Sequence, residues 1–514
     1  MLRQIRAFSE MSDDQREVFA FLGRGAGVKR LDTHISVVFL DGDRALKVKR
    51  AVTLSYLDYS TPALRRRQCE AELELGRSMA PKLYLGLRSV TRERDGSLAL
   101  DGTGEPIEWA VEMRRFEQET LFDRLAAKGA LTPLLMRRLA DAIAEVHAKS
   151  APRKDRGGSA ATRALIEDSD RNLRLGSDIL PAAEVDALLR QSLAILDRLA
   201  PELDRRRAEG KVRRCHGDLH LRNICLLDGV PTLFDGIEFS ETISVIDVLY
   251  DLAFLLMDLG YRGLHEAANL VFNRYLDRSG DLGGIGALPL FMSMRAAIRS
   301  HVSMAARAQQ ERTEAAQGLA AEAASYLRLA QELLLPRPAV LVALGGLSGT
   351  GKSTLAQSLA AELGPPPGAR IARTDVLRKR MLGVASETRL PAEAYTRAVS
   401  ERVYAGFREE IRIALAQGHA AIADATFVDP GERPAIEAVA TRAGVPFLGF
   451  WLEAPAEVLL ARVEARRDDA SDADAAVLRR QLRYDLGPIG WRRIDVSGGT
   501  AEALARLRAV LAAR

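Results

Sequence analysis

The chain has 514 residues, with 73 Lys and Arg against 69 Asp and Glu, and the formal charge of +4 is too slight to imply a nucleic-acid or membrane surface. Its length predicts roughly three domains of about 150 residues, and its composition is that of an ordinary globular protein able to bury large cores. Cys69, Cys215 and Cys225 show no paired metal-ligand spacing, and an odd count behind a charged N-terminus without an apolar leader predicts a reducing, cytoplasmic setting.

In chain order, residues 1–25 read as a short helix. THISVVFL (33–40) and RALKVKR (44–50) read as strands joined by the turn DGD at 41–43. A helix follows over 62–80, with Pro62 in its first turn, and then strands at KLYLGLRSV (82–90) and IEWAVEMRRF (107–116). Residues from Thr120 to about Ala200 are mostly helical in pattern, broken near PRKDRGGS. Residues 212–239 switch to short strands and turns, and 244–335 to long helices. VIDVLYDLAFLLMDLGY carries Asp247, Asp251 and Asp258, too many charges and too few residues for a membrane span, so it reads as a buried core helix. Pro336 and Pro338 mark the clearest domain boundary. Beyond them, strands at 339–346, 370–374, 419–427, 446–454 and 492–498 alternate with helical stretches, which predicts a parallel sheet with helices on both faces.

The strand at 339–346 runs into Gly346-Leu-Ser348-Gly349-Thr350-Gly351-Lys352-Ser353-Thr354, which fits G-x-x-x-x-G-K-[ST] between a β-branched strand and a helix. The glycines let backbone N–H groups turn toward phosphate oxygens, and the helix N-terminus adds partial positive charge. Lys352 is then expected to neutralise the β and γ phosphates of ATP, and Ser353 to ligate Mg²⁺. Asp375 and Asp424 fall at strand ends, the edge where such sheets bind ligands, and suit proton abstraction or metal holding. Arg462 and Arg466 share a helix face and suit a basic lid over the transferring phosphoryl group. This segment resembles the small P-loop kinases related to gluconate kinase, shikimate kinase, chloramphenicol phosphotransferase and zeta toxin, through GLSGTGKST, RTDVLRK and IADATF. The resemblance implies Asp375 as base or orienting carboxylate and Arg378 as a substrate contact.

A second phosphoryl-transfer pattern lies upstream. In CHGDLHLRN, Asp218 and Asn223 have the spacing of a protein-kinase-type base and its metal-binding Asn, and TLFDGIEF then supplies Asp235 as a second metal ligand. A strand lysine and a helix glutamate should precede them. Lys47 and Lys49 share a strand face, so spacing cannot choose between them, whereas Glu70 and Glu72 face differently on a helix. One glutamate is expected to pair, and Lys47 with Glu72 is the preferred combination. HGDLHLRN, LFDGIEF and DVLYDLAFLLMDL give residues about 28–335 a resemblance to the aminoglycoside phosphotransferase and choline kinase group. It implies Asp218 as base, Asn223 and Asp235 as Mg²⁺ ligands, Asp251 as a brace of the catalytic loop and VEMRRF (111–116) as the hinge receiving adenine. The glycine-rich loop of protein kinases is missing, so Thr33, His34 and Ser36 would have to cover the phosphates.

The full arrangement resembles a bacterial fusion of an aminoglycoside phosphotransferase-like domain with a gluconate kinase- or zeta toxin-like P-loop domain. The expected fold class is therefore α/β and α+β. An N-terminal bilobal protein-kinase-like fold spans 1–335 (small lobe about 28–116, large lobe about 117–335), and a C-terminal P-loop NTPase fold with a parallel sheet flanked by helices spans 336–514. The leading functional expectation is an ATP- and Mg²⁺-dependent bifunctional phosphotransferase acting on a hydroxyl of a small molecule, either metabolite or antibiotic. The alternatives are a regulatory protein in which one domain is a ligand-sensing degenerate kinase, and a polynucleotide-end kinase. No membrane or nucleic-acid partner is expected.

Overall fold

The computed structural model describes residues 13–33, 35–54, 57–308, 310, 314–465 and 471–513. It divides into two compact units: Met1–Asp258 with Leu290–Leu334, and Leu259–Pro289 with Leu335–Arg514. The first has the kinase-like fold. Six strands, β1 (Lys29–Asp32), β2 (Ser36–Asp41), β3 (Arg44–Lys49), β4 (Tyr84–Arg92), β5 (Leu98–Leu100) and β6 (Glu105–Arg114), form an antiparallel sheet in the order β1-β2-β3-β6-β4-β5. Strand alternation sends Val37, Phe39, Leu46 and Val48 to a core with Val18 and Phe19 of helix Asp13–Gly23. Leu40, Ala45 and Val111 go to the other face, against Cys69 of helix Pro62–Met79. Pro62 sits in that helix's first turn, as the sequence predicts, and Thr61 caps its start by accepting from Leu64 N at 3.3 Å.

The rest of this unit is helical: Phe122–Ala127, Pro133–Lys149, Gly158–Arg174, Ala182–Ala208, Val248–Tyr261, Leu288–Arg307 and Glu314–Leu333. Two small ribbons interrupt it, Ile224–Leu227 with Val230–Leu233, and Val212–Arg214 with Val245–Asp247. The expected core helix therefore starts at Val248, because Val245–Asp247 pair as a strand first. No described helix is long and apolar enough to cross a membrane.

The second unit carries a five-stranded, wholly parallel sheet: β7 (Leu341–Gly346), β8 (Arg370–Arg373), β9 (Ala421–Asp424), β10 (Phe447–Glu453) and β11 (Arg492–Asp495), ordered β8-β9-β7-β10-β11. Strand β7 is buried along its whole length, as a central parallel strand must be. Val342, Leu344, Ile422 and Leu452 pack on one face against Leu355 and Leu359 of helix Lys352–Ala360 and Leu507 of helix Thr500–Ala512. Helices Thr374–Met381, Arg397–Ala416 and Glu432–Ala443 complete the flanking layers of a P-loop fold.

Residues 259–289, which the sequence places in the large lobe, pack with the P-loop unit. The reason is the edge of β8, which needs partners for its backbone. Helix His265–Ser279 provides them: Asn273 Oδ1 accepts from Ile371 N at 2.7 Å, and Asn269 Nδ2 donates to Pro367 O and Ala369 O, both at 3.1 Å. The buried guanidinium of Arg370 closes the seam on Asp277 at 2.6 Å and Glu410 at 3.1 Å. His419 adds a bond from Nε2–H to Ile285 O at 2.9 Å.

Burial pushes the His419 imidazole down from its usual 6.5 to about 4, although its bond to Ile285 opposes the shift. The folded protein therefore holds this ring neutral between about pH 4 and 6.5, where the unfolded chain protonates it. Its contribution is complete above pH 6.5 and is lost as pH falls toward 4, by up to about 3 kcal/mol. His419→Gln should remove that portion of the acid sensitivity, read as a smaller difference in urea midpoint between pH 7 and pH 5 than in wild type.

Candidate active sites

In the first unit the loop Cys215–His220 is held from behind by two carboxylates of helix Val248–Tyr261. Asp251, fully buried, accepts from His216 N at 3.1 Å and Gly217 N at 2.8 Å, and pairs with His147 Nε2 at 3.1 Å. Two turns further on, Asp258 accepts from Leu221 N at 3.0 Å. Arg295 donates to Gly217 O at 3.0 Å and lies 3.9 Å from the Tyr250 ring centre. Cys215 joins His147 and Asp251 in a buried cluster whose ligand-type atoms lie within 4.8 Å, but the Asp251 oxygens are already committed to the loop.

Asp218 emerges from this scaffold with its side chain 36% exposed, open to an incoming group. Asn223 Nδ2 donates to Asp218 Oδ2 at 2.9 Å and to Asp218 O at 3.0 Å, and His220 Nε2 lies 3.4 Å from the same carboxylate. Burial alone would raise the Asp218 carboxyl. His220 first, then His216 and Arg295, more than reverse this and hold it well below the ordinary carboxylate range.

Asp235 stands beside Asn223, because Phe234 N donates to Asn223 O at 3.0 Å. Its backbone is left-handed, with φ of 60°, an uncommon state for a non-glycine residue, and its N–H donates to the Tyr84 hydroxyl at 3.0 Å. The Asn223 amide nitrogen is spent on Asp218, which leaves its oxygen. With the half-exposed Asp235 carboxylate this makes an oxygen-only donor set, the kind that suits Mg²⁺. Lys47 Nζ pairs with Asp235 and, at 2.8 Å, with Glu72 Oε1. Lys49 Nζ takes the other Glu72 oxygen, also at 2.8 Å. The sequence left a choice between the two lysines, and Glu72 binds both. Glu70 turns outward to Arg66 at 2.9 Å. Burial would raise the Glu72 carboxyl, but Lys47 and Lys49 outweigh it and hold it down. Thr33 Oγ1 donates to Ser36 O at 2.9 Å, while His34 lies outside the described residues.

In the second unit the phosphate loop joins β7 to helix Lys352–Ala360. Two of its glycines are demanded by space and backbone: Gly346 has φ of 141° and a Cβ there would sit 2.5 Å from Leu452 O, while Gly349 has φ of 86° and its Cβ would sit 2.7 Å from Leu459 O. Gly351, with φ of 81°, is the residue just before the helix. Lys352 Nζ reaches back over the loop to Gly346 O at 2.8 Å and Leu347 O at 2.9 Å. Ser353 Oγ donates to Asp424 Oδ2 at 2.6 Å, joining the two expected Mg²⁺ holders, and Arg373 Nε lies 3.3 Å from that same oxygen. Asp375 opens helix Thr374–Met381. Burial pushes its carboxyl up, Arg373 opposes this, and the charge of Asp424 adds to the rise.

Other expected contacts take different partners. Ser348 N donates to Gln481 Oε1 at 2.9 Å, Thr350 Oγ1 to Leu347 O at 2.8 Å, and Thr354 is exposed on the first helical turn. Arg378 is buried, donates to Ala394 O at 2.7 Å and stacks 4.7 Å from the Tyr395 ring centre. Arg462 Nη2 donates to Val496 O at 2.8 Å, which commits it to a carbonyl of the segment after β11. Arg466 lies outside the described residues. Sequence reasoning missed Asp258, Arg295, Glu238, Arg373 and Gln481. Only Glu238 had a visible signal, as a second carboxylate three residues after Asp235.

Residues 46–287 match the phosphotransferase enzyme family, and residues 341–485 match the AAA domain family. An uncharacterized protein of Mycobacterium tuberculosis is 30% identical over 486 residues, covering 91% of this chain and 92% of its own. Among solved structures, a choline/ethanolamine kinase family protein from Mesorhizobium loti is 16% identical with a TM-score of 0.39, covering 63% of this chain and 100% of its own. A gluconokinase from Sinorhizobium meliloti is 21% identical with a TM-score of 0.25, covering 34% of this chain and 97% of its own.

Asp251→Asn turns an amide N–H₂ toward one of the loop's own N–H donors. It is expected to lower the unfolding free energy by about 2–3 kcal/mol, read from urea midpoints against wild type.

Proposed function

We propose that this chain, which belongs to the family joining a phosphotransferase enzyme-family domain to an AAA-type P-loop domain, transfers the γ-phosphate of ATP to a hydroxyl of a small molecule. The observation that carries the reading is the Asp218–Asn223 contact of 2.9 Å, with Asp235 beside it and Lys47 tied to Glu72. Asp218, ionised and reachable, orients the acceptor hydroxyl and takes its proton as the phosphoryl group departs from ATP. Asn223 and Asp235 would hold Mg²⁺, which would supply charge neutralisation at the phosphates. Lys47 exchanges Asp235 for a phosphate oxygen.

The P-loop unit supports the same class of reaction with different parts. Lys352 leaves its carbonyl partners for the β and γ phosphates, Ser353 and Asp424 would hold the metal, and Asp375 receives the acceptor proton. A raised Asp375 carboxyl is the stronger base of the two. Arg378 acts on the substrate by shaping the wall that carries Tyr395, since its guanidinium is already committed to Ala394 O.

The test is transfer of label from γ-labelled ATP with Mg²⁺ into a small-metabolite extract by wild type, Asp218→Ala and Lys352→Ala. Two labelled products are expected, each reduced about 10²–10⁴-fold by one variant and spared by the other. Wild type that binds ATP yet labels nothing across a broad extract would overturn the reading.

A further inference from the structure

Lys47 and Lys49 stand two residues apart on β3, on the face toward helix Pro62–Met79. Asp235 and Glu238 stand three apart on the loop after Leu233. Glu72 lies between the two pairs. Its Oε1 accepts from Lys47 and its Oε2 from Lys49, each at 2.8 Å, while Lys47 also meets Asp235 and Lys49 meets Glu238 Oε1 at 2.5 Å. The result is a closed ring of alternating charge, Asp235–Lys47–Glu72–Lys49–Glu238, completed by the loop's own backbone. The Tyr59 hydroxyl caps it, 3.2 Å from Glu238 Oε1.

The two halves of the ring differ in exposure. Asp235 and Lys47 are 49% and 12% exposed, whereas Lys49, Glu72 and Glu238 are 1%, 2% and 6% exposed. Only the outer half is open to solvent, and so to metal and nucleotide on the phosphotransferase reading. When Lys47 and Asp235 turn to phosphate and metal, the outer ion pair that ties the loop to β3 opens. The inner half has no access to the ligand and stays closed. A desolvated charge pair that loses one partner is strongly penalised, so the inner half holds its geometry firmly.

We infer that Lys49 and Glu238 are positioning residues that keep the loop bearing Asp235 in register for metal binding while Lys47 serves the nucleotide. The inference rests on the phosphotransferase reading of this unit and adds a division of labour between two lysines that spacing alone made equivalent. Lys49 touches no reacting atom; it acts through Glu72 and Glu238.

Mn²⁺ binding to the full-length protein tests this, measured by electron paramagnetic resonance with a non-hydrolysable ATP analogue present. All forms carry Lys352→Ala so that the P-loop does not contribute. Glu238→Gln keeps shape and hydrogen bonding and removes only the charge. It is expected to weaken Mn²⁺ binding about 10-fold, the usual effect of losing a partner that orients a metal ligand, while analogue affinity without metal stays within about twofold. Lys49→Met should do the same, and Lys49→Arg should recover most of the loss. Unchanged Mn²⁺ affinity in a folded Glu238→Gln protein overturns the inference. So does a loss confined to metal-free nucleotide affinity, which would make Lys49 a phosphate contact. A parent that binds no Mn²⁺ with the analogue overturns the inference together with the reading beneath it. Intact Mn²⁺ effects with no label transfer by wild type would defeat the phosphotransferase reading alone.

Discussion

The carboxylate of Glu72, buried and shared by two ammonium groups, is the constraint on which the first site depends. It links β3, helix Pro62–Met79 and the loop carrying Asp235, three segments with no sequence proximity. An unpaired carboxylate at that depth would take up a proton or force the sheet open. Two lysines prevent both, and in doing so they fix where Asp235 can lie. The left-handed backbone of Asp235, with φ of 60°, is tolerated because Lys47 and the Tyr84 hydroxyl hold the residue from two sides. The unusual backbone and the unusual ion-pair ring thus explain each other.

The loop carrying Asp218 shows the same logic with backbone groups in place of lysines. Asp251 and Asp258 lie seven residues apart on a nearly all-apolar helix, so they share its face, and each accepts N–H groups that a loop this deep could not otherwise satisfy. The three aspartates of VIDVLYDLAFLLMDLGY, which exclude a membrane span in the sequence, thus have structural work in the fold. Asp247 is paired on both oxygens with Arg206 at 2.7 Å.

Legibility followed the range of the interaction. The Gly346–Ser353 loop and the Asp218–Asn223 spacing are local geometry, readable because one turn must present all their groups together. Period-2 alternation put Lys47 and Lys49 on one face but could not say that Glu72 takes both, because Glu238 arrives from 189 residues away. The packing of 259–289 was hidden for the same reason: Asn273 reaches Ile371 across 98 residues, and nothing in the helix pattern marks an asparagine as the partner of a strand edge. Arg462 shows a different limit. Helical periodicity predicts a basic face there, but it cannot tell a phosphate from the carbonyl of Val496, since both are acceptors for a guanidinium.

The two candidate bases, Asp218 and Asp375, are placed in opposite electrostatic settings. Both lose solvent, which favours the neutral acid. Around Asp218 the nearby groups are His220, His216 and Arg295, and the carboxylate form wins. Around Asp375 the nearby Asp424 works against the charge, and the acid form gains despite Arg373. A metal held by Ser353 and Asp424 would remove that repulsion, because its own charge dominates its surroundings. Asp375 would then ionise more readily, so the strength of this candidate base would follow occupancy of the proposed metal site. Asp218 has its stabilising neighbours built into the protein and needs no such assistance. The first site is therefore preset in its protonation, whereas the second would be set by its ligands.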